Sequence, residues 1–328
     1  MRGLTKEQVK GVRKVKTRQN ENQLLNKENV TGIGIGEKVV NGVPTGKPAL
    51  LTFVTSKQPA AMLKPADLVP EFIDGVPTDV IEIGSVSVQP DLQREMRTLP
   101  GNALTSRIRP VKGGWSVGHP DITAGTAGAI VTSGEGTQEA KYFILSNNHV
   151  LANSNEAVEG DPVIQPGSAD GGRLPDDQVA VLTKFIPIDL TPDVPADDHD
   201  NFVDAAIAEG SLQELDREVY WSGYIKGAVA AENVATGMRV RKTGRTTGYT
   251  TGEITAVEAV IDVNFGGDRT GRFRDQIVTT PISEGGDSGS VVTDLDSNAV
   301  GLLFAGSPQA TILNQIEHVQ RLLNIRFA

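Results

Sequence analysis

The sequence predicts an all-β protein with a C-terminal helix, preceded by a small N-terminal α/β module. Two observations carry this. From Gly113 onward, short β-type runs recur between Gly, Pro, Asn and Asp turns, the pattern of sandwiches and barrels. Ahead of them, residues 29–89 combine strand runs with one short helical segment. The 328 residues suffice for about two domains. Aromatic residues are only 5%, so the core is expected to be aliphatic.

Residues 1–28 form a first, basic segment, with a helix expected over residues 5–27. Val9, Val12 and Val15 recur every third position, which leaves a thin apolar stripe. A tether to an acidic partner or membrane and a solvated packing helix are both open, the second being the ordinary role of such a stripe. Residues 29–100 form the module. Ile33 and Ile35 alternate with Gly32, Gly34 and Gly36. Asn41-Gly42 marks a turn, and Ala49–Val54 reads as a buried strand. A short helix is expected around Met62–Leu68 and a strand over Asp79–Ile83. The GxGxG run lacks the third glycine spacing and the following helix of a dinucleotide fingerprint, so it reads as a glycine-rich strand.

Residues 90–112 carry Pro90, Pro100, Gly101 and Pro110 without periodicity and read as a linker. The last domain spans residues 101–328. Strands are expected at Gly128–Thr132, Tyr142–Ser146, Pro162–Gln165, Val179–Phe185 and Val203–Ala208. A second set follows at Arg239–Lys242, Gly252–Val257, Ala259–Val263, Gln276–Thr280, Ser290–Thr293 and Val300–Phe304. A closing helix is expected over residues 311–324, where Ile312, Ile316, Val319 and Leu323 share one face.

Composition removes several classes of function. A net charge of −10 opposes general nucleic-acid binding, which needs a basic surface against phosphates. The absence of cysteine excludes disulfides, zinc thiolates, iron–sulfur clusters and thiol nucleophiles. The first residues hold no apolar h-region, and no stretch approaches the length of a membrane span. No signal peptide or membrane span is expected, and the expected location is cytoplasmic. No cofactor or metal is expected. The acidic loop Asp193–Asp200, interrupted by Pro195, reads as a solvated loop, with calcium as the alternative.

Three segments carry chemistry. Glu284-Gly285-Gly286-Asp287-Ser288-Gly289-Ser290 sets a serine on a glycine-flanked turn. Such a turn can expose a nucleophilic hydroxyl and aim neighbouring N–H groups at a developing oxyanion. GDSG also occurs in ordinary turns. In Tyr142-Phe143-Ile144-Leu145-Ser146-Asn147-Asn148-His149, an apolar strand runs into a polar turn ending on a histidine. A lone histidine there is more often structural. In Asn201-Phe202-Val203-Asp204-Ala205-Ala206-Ile207-Ala208, an aspartate opens an apolar strand, where burial is costly unless the carboxylate is paired. A histidine held in one tautomer needs such a partner.

In the order His149, Asp204, Ser288, these motifs resemble the trypsin-like serine peptidases of the chymotrypsin fold, over roughly residues 113–328. Val240–Ile254 contains Gly244-Arg245-Thr246-Thr247-Gly248 and is similar to the hairpin of the bacterial alpha-lytic and streptogrisin-type peptidases. Those secreted relatives bridge this hairpin with a disulfide; here Arg241 and Thr251 stand at the two cysteine positions. The SNNHVLA run, Gly125–Gly128 and Gly75–Val80 are also similar to the plant narrow-leaf type of trypsin-like protein.

The resemblance implies a double six-stranded β-barrel, with His149 and Asp204 from the first barrel and Ser288 from the second. It implies that Ser288 is the nucleophile, His149 the base, Asp204 its orienting partner, and the N–H groups of Gly286 and Ser288 the oxyanion hole. It places the substrate pocket at Ile282, with a wall at Phe304, Ala305 and Gly306, and Ile282 implies an uncharged substrate side chain. No Ile-Val-Gly-Gly sequence occurs, so Asp287 is expected to find a partner other than a freed N-terminus, or simply to cap the local turn. Partners are a protein or peptide substrate, with residues 1–100 expected as a lobe that regulates access or drives self-association into a homo-oligomer. Two functions follow: a serine endopeptidase, or a catalytically silent scaffold of the same fold.

Overall fold

The computed structural model describes residues 3–88, 103–133 and 141–327. The expected N-terminal helix is two helices, α1 (Lys6–Arg13) and α2 (Arg18–Leu25). Thr17 divides them: its hydroxyl accepts the Asn20 N–H at 3.3 Å, the bond of an N-cap. Val9, Val12, Leu24 and Leu25 are the buried apolar residues of the pair.

Strands β1 (Val30–Val40) and β2 (Val43–Val54) form a hairpin, and β3 (Val76–Glu82) runs parallel to β2. The hairpin turns at Asn41 (φ 52°) and Gly42 (φ 77°), two left-handed residues whose twist suits adjoining strands. The helix expected around Met62–Leu68 is two isolated 3₁₀ turns, Ala60–Met62 and Pro65–Asp67. Pro65 interrupts it, because proline restricts the preceding residue and has no N–H to continue a helix.

The first barrel is built on β4 (Ala129–Ser133), β5 (Tyr142–Ser146), β6 (Pro162–Ile164), β7 (Gln178–Phe185) and β8 (Ala206–Gly210). They lie in the order β6-β7-β8-β5-β4, and the sixth strand is the chain's last, Ile325–Phe327, beside β4. The second barrel comprises β9 (Arg239–Gly244), β10 (Gly248–Asn264), β11 (Thr270–Thr279), β12 (Val291–Asp294), β13 (Asn298–Gly306) and β14 (Thr311–Gln315). Their order is β9-β12-β13-β14-β11-β10, and β10 pairs back onto β9, so this six-stranded barrel closes.

Two expectations change here. Gly252–Val257 and Ala259–Val263 are one strand, irregular around Glu258 (φ 49°). The closing helix, α3, begins only at Ile316 and ends at Leu323. Thr311–Gln315 is strand instead, bonded to β11 on one side and β13 on the other, with all five residues buried.

The N-terminal strands have no sheet of their own. β1 is hydrogen-bonded along β10, with Gly32 opposite Ile261 and Gly36 opposite Ala256. The approach is close: a Cβ at Gly32 would lie 2.6 Å from the Val260 carbonyl oxygen, a contact only glycine avoids. Val9, Val12, Leu24, Ile33 and Ile35 share one apolar cluster with Val240, Ile254, Val260 and Leu313 of the barrel. The separate lobe expected from the sequence is thus packed as an extension of the second barrel. Most of the expected linker, residues 90–102, lies outside the described residues; Ala103–Thr105 is a 3₁₀ turn. Among the described residues no helix is long and apolar enough to cross a membrane.

Candidate active site

His149 sits on a single helical turn, Asn148–Leu151, directly after β5. Asp204 lies in the extended segment entering β8 and is fully buried. The structure brings these two together. His149 Nδ1 lies 2.5 Å from Asp204 Oδ2, and the His149 backbone N–H donates to Asp204 Oδ1 at 3.1 Å. Burying an aspartate is costly unless its charge is met, and both carboxylate oxygens are met by the same residue.

The Asp204 backbone is also fixed from two directions. Asn147 Nδ2 donates to its carbonyl at 2.7 Å, and its N–H donates to Asn314 Oδ1 at 3.0 Å. Asn314 is on β14 and donates in turn to Gln276 Oε1 on β11 at 2.9 Å. The second barrel therefore helps position the aspartate of the first.

Ser288 belongs to the second barrel, on the turn between β11 and β12. Its carbonyl accepts the Thr126 N–H at 2.8 Å, and Thr126 Oγ1 donates to the Gly286 carbonyl at 2.9 Å. Gly289 (φ 95°) passes so near the first barrel that a Cβ would lie 2.1 Å from Ser146 Oγ and 2.3 Å from the Thr126 oxygen. A Cβ at Gly125 would lie 2.5 Å from Val150 Cγ2 and 3.1 Å from the Ser288 carbonyl oxygen. The serine turn and the residue after His149 thus flank the same glycine. The Ser288 hydroxyl makes no hydrogen bond among the described residues. Gly286 has φ 93°, and the N–H groups of Gly286 and Ser288 likewise donate to no described residue, so both remain able to receive an oxyanion.

Asp287 shapes this turn. It is fully buried, and its carboxylate accepts the N–H groups of Thr246 at 2.9 Å, Thr247 at 3.1 Å and Glu284 at 3.0 Å, and the Thr247 hydroxyl at 2.6 Å. Its ion-pair partner is Lys242 Nζ at 3.2 Å. Lys242 is fully buried too, and its ammonium also donates to the Gly248 carbonyl at 3.1 Å and to Thr247 Oγ1. Burial pushes the lysine pKa below its ordinary value, and the Asp287 charge opposes that shift. Lys242 is therefore the cation that meets the buried Asp287 charge. The sequence did not mark this lysine: its strand, Arg239–Gly244, also carries Arg239 and Arg241, so nothing in the run separates a buried cation from exposed ones.

A second ion pair joins the barrels nearby. Arg245 Nε and Nη2 each lie 2.6 Å from the Asp170 carboxylate, on a loop of the first barrel. Arg241 and Thr251 stand opposite each other in the antiparallel register of β9 and β10.

The expected pocket residues are placed differently. Ile282 packs in the apolar cluster of the second barrel; its N–H donates to Thr311 Oγ1 at 3.1 Å and its carbonyl accepts from Thr250 Oγ1 at 2.7 Å. Phe304 and Ala305 are buried in another cluster, where the Phe304 ring is 4.7 Å from that of Phe273. Gly306 ends β13 and is buried. Phe265, which no motif singled out, sets its ring edge-on to His149 at 6.4 Å.

Two carboxylates of the acidic loop meet arginines: Asp197 is 2.9 Å from Arg272, and Asp200 is 2.8 Å from Arg274 and 2.7 Å from Arg18. A cavity of about 790 Å³ lies beneath the N-terminal helices, lined by Leu4, Val9, Arg13, Val257 and Arg274 among others. It contains none of His149, Asp204 and Ser288 and offers no nucleophile beside a base.

No protein-family model matches this sequence, and no curated protein sequence is similar to it. Among solved structures, protease A of Thermobifida fusca is similar at 17% identity and a TM-score of 0.46, covering 66% of this chain and 98% of its own. The Nocardiopsis protease is similar at 19% identity and a TM-score of 0.44, covering 66% of this chain and 97% of its own. The chymotrypsin of Cellulomonas bogoriensis is similar at 18% identity and a TM-score of 0.43, covering 66% of this chain and 98% of its own.

Proposed function

We propose that this chain is a serine endopeptidase acting through Ser288, His149 and Asp204. The observation that carries the reading is the pair of hydrogen bonds between His149 and the buried Asp204, beside a glycine turn that presents a serine and two undonated N–H groups. Asp204 holds Nδ1, which leaves Nε2 to take the serine proton. Ser288 Oγ then attacks the scissile carbonyl, and the Gly286 and Ser288 N–H groups receive the oxyanion. His149 returns the proton to the leaving amine, and water repeats the sequence on the acyl-enzyme. The Ser288–His149 hydrogen bond closes when substrate binds, as catalytic contacts commonly do.

The substrate is a protein or peptide. The test is hydrolysis of an unfolded protein by the purified chain and by Ser288→Ala. Cleavage by the first and none by the second supports the reading. No cleavage by either, with the chain folded, favours the scaffold.

A further inference from the structure

The strand edge beside the serine turn is already occupied. The Gly306 N–H donates to the Ser87 carbonyl at 3.0 Å, and the Ser87 N–H donates to the Gly306 carbonyl at 3.2 Å. This is a reciprocal antiparallel bridge, in which both backbone groups of Gly306 are spent. On its other side the same segment is bonded to the end of β10. Asn264 N–H donates to the Val86 carbonyl and Val88 N–H donates to the Asn264 carbonyl, both at 3.1 Å. Ser307 Oγ donates to the Ile83 carbonyl.

Side chains fix the segment as well. Ile83, Val86 and Val88 are buried in one cluster with Phe265, Phe273, Phe304 and Ala305. That cluster reaches the histidine side of the site, and β13 itself reaches the serine turn. Phe265 lies against the His149 ring. Three residues before Gly306, the Leu303 carbonyl accepts the Gly289 N–H at 2.8 Å.

An extended peptide that lies along β13 would add a strand through the backbone of Gly306, the ordinary mode of β-augmentation. We infer that Val86–Val88 is an internal occupant of this peptide-binding edge, so that the full chain restrains its own action on extended peptides. Such a substrate has to displace Ser87 before it can pair with Gly306. A short ester, which needs only the nucleophile and the oxyanion N–H groups, is not restrained. This rests on the peptidase reading and names its regulation.

The test uses the full chain with three substrates: an apolar tetrapeptide p-nitroanilide, the p-nitrophenyl ester of its last residue, and a small fluorophosphonate. Ser87→Pro removes the N–H given to Gly306, and Ser307→Ala removes the hydroxyl that holds Ile83. Each variant is expected to raise kcat/KM for the tetrapeptide by about two- to tenfold, the worth of one hydrogen bond. Ester hydrolysis and phosphonylation stay at the wild-type rate. Equal change on tetrapeptide and ester overturns the inference, as does no change in either while phosphonylation proceeds. Absent phosphonylation in every chain instead refutes the peptidase reading. Amide hydrogen exchange at Gly306 reads the occupant without catalysis. Slow exchange in the wild type and faster exchange in Ser307→Ala supports it, and fast exchange already in the wild type overturns it.

Discussion

Replacing Lys242 by methionine leaves the Asp287 charge buried with no cation. Both side chains are fully buried, and removing one partner from such a pair costs about 3–5 kcal/mol. Four donors still hold the carboxylate, from Thr246, Thr247 and Glu284, so the cost belongs at the lower end, about 3 kcal/mol. At about 2–4 °C per kcal/mol for a chain of this order, Tm falls by roughly 6–12 °C. Activity falls further than stability explains. Asp287 sits between Gly286 and Ser288, the two residues whose N–H groups are proposed to receive the oxyanion, and displacing one such donor costs about 10²–10³ in kcat. Adding Asp287→Asn removes the uncompensated charge, so the double variant loses less stability than the two single losses combined. Thermal unfolding and the rate of phosphonylation by a fluorophosphonate measure both effects. A Lys242→Met chain with a Tm within about 1 °C of wild type and the same phosphonylation rate would refute the role given to this pair.

The same lysine sets an alkaline limit. Its pKa lies below 10.5 because it is buried, and the ion pair exists only while it is protonated. Activity at fixed substrate should decline with rising pH before 10.5 is reached; a decline that starts only above that value contradicts the assignment. Asp204→Asn keeps one oxygen for the His149 backbone but turns a donor or the wrong tautomer towards Nδ1, so kcat drops on the order of 10⁴-fold. Full turnover in that variant, with Asp200→Asn inactive, would move the orienting role to the arginine-paired loop. A chain beginning at Ala103 loses the β1 pairing of β10 and bares Val257, Val260 and Ile261, so it should fail to unfold cooperatively by circular dichroism. A soluble truncation with a sharp transition would show that the N-terminal strands are dispensable to the barrel.

The local motifs were legible because each is continuous in sequence. Tyr142–Ser146 is a continuous apolar run that ends in a polar turn before His149, and glycines flank the Asp287-Ser288 pair, so strand ends and turns can be read without knowing their neighbours. Pairing across the chain was not legible. Ile33 and Ile35 between glycines announce a strand, but nothing in that run says that it docks on Val257–Ile261, because neighbour choice is set by packing rather than by period. In the sequence Thr311–Gln315 reads as part of the closing helix, because Ile312 falls in phase with Ile316, Val319 and Leu323. A strand buried on both faces has no alternation to announce it. The partners of Asp287 and Gly306 lie 45 residues away, at Lys242, and far upstream, at Ser87. Their chemistry appears only when the fold brings them together.

The central claim is that Ser288 is a nucleophile activated by the His149–Asp204 pair. Fluorophosphonate treatment of the folded full-length chain, followed by mass mapping of its peptides, tests it most directly. The account predicts one adduct per chain, carried by the peptide that contains Ser288, absent in Ser288→Ala and strongly slowed in Asp204→Asn. An adduct on another residue, or a folded chain that takes up none, would contradict it.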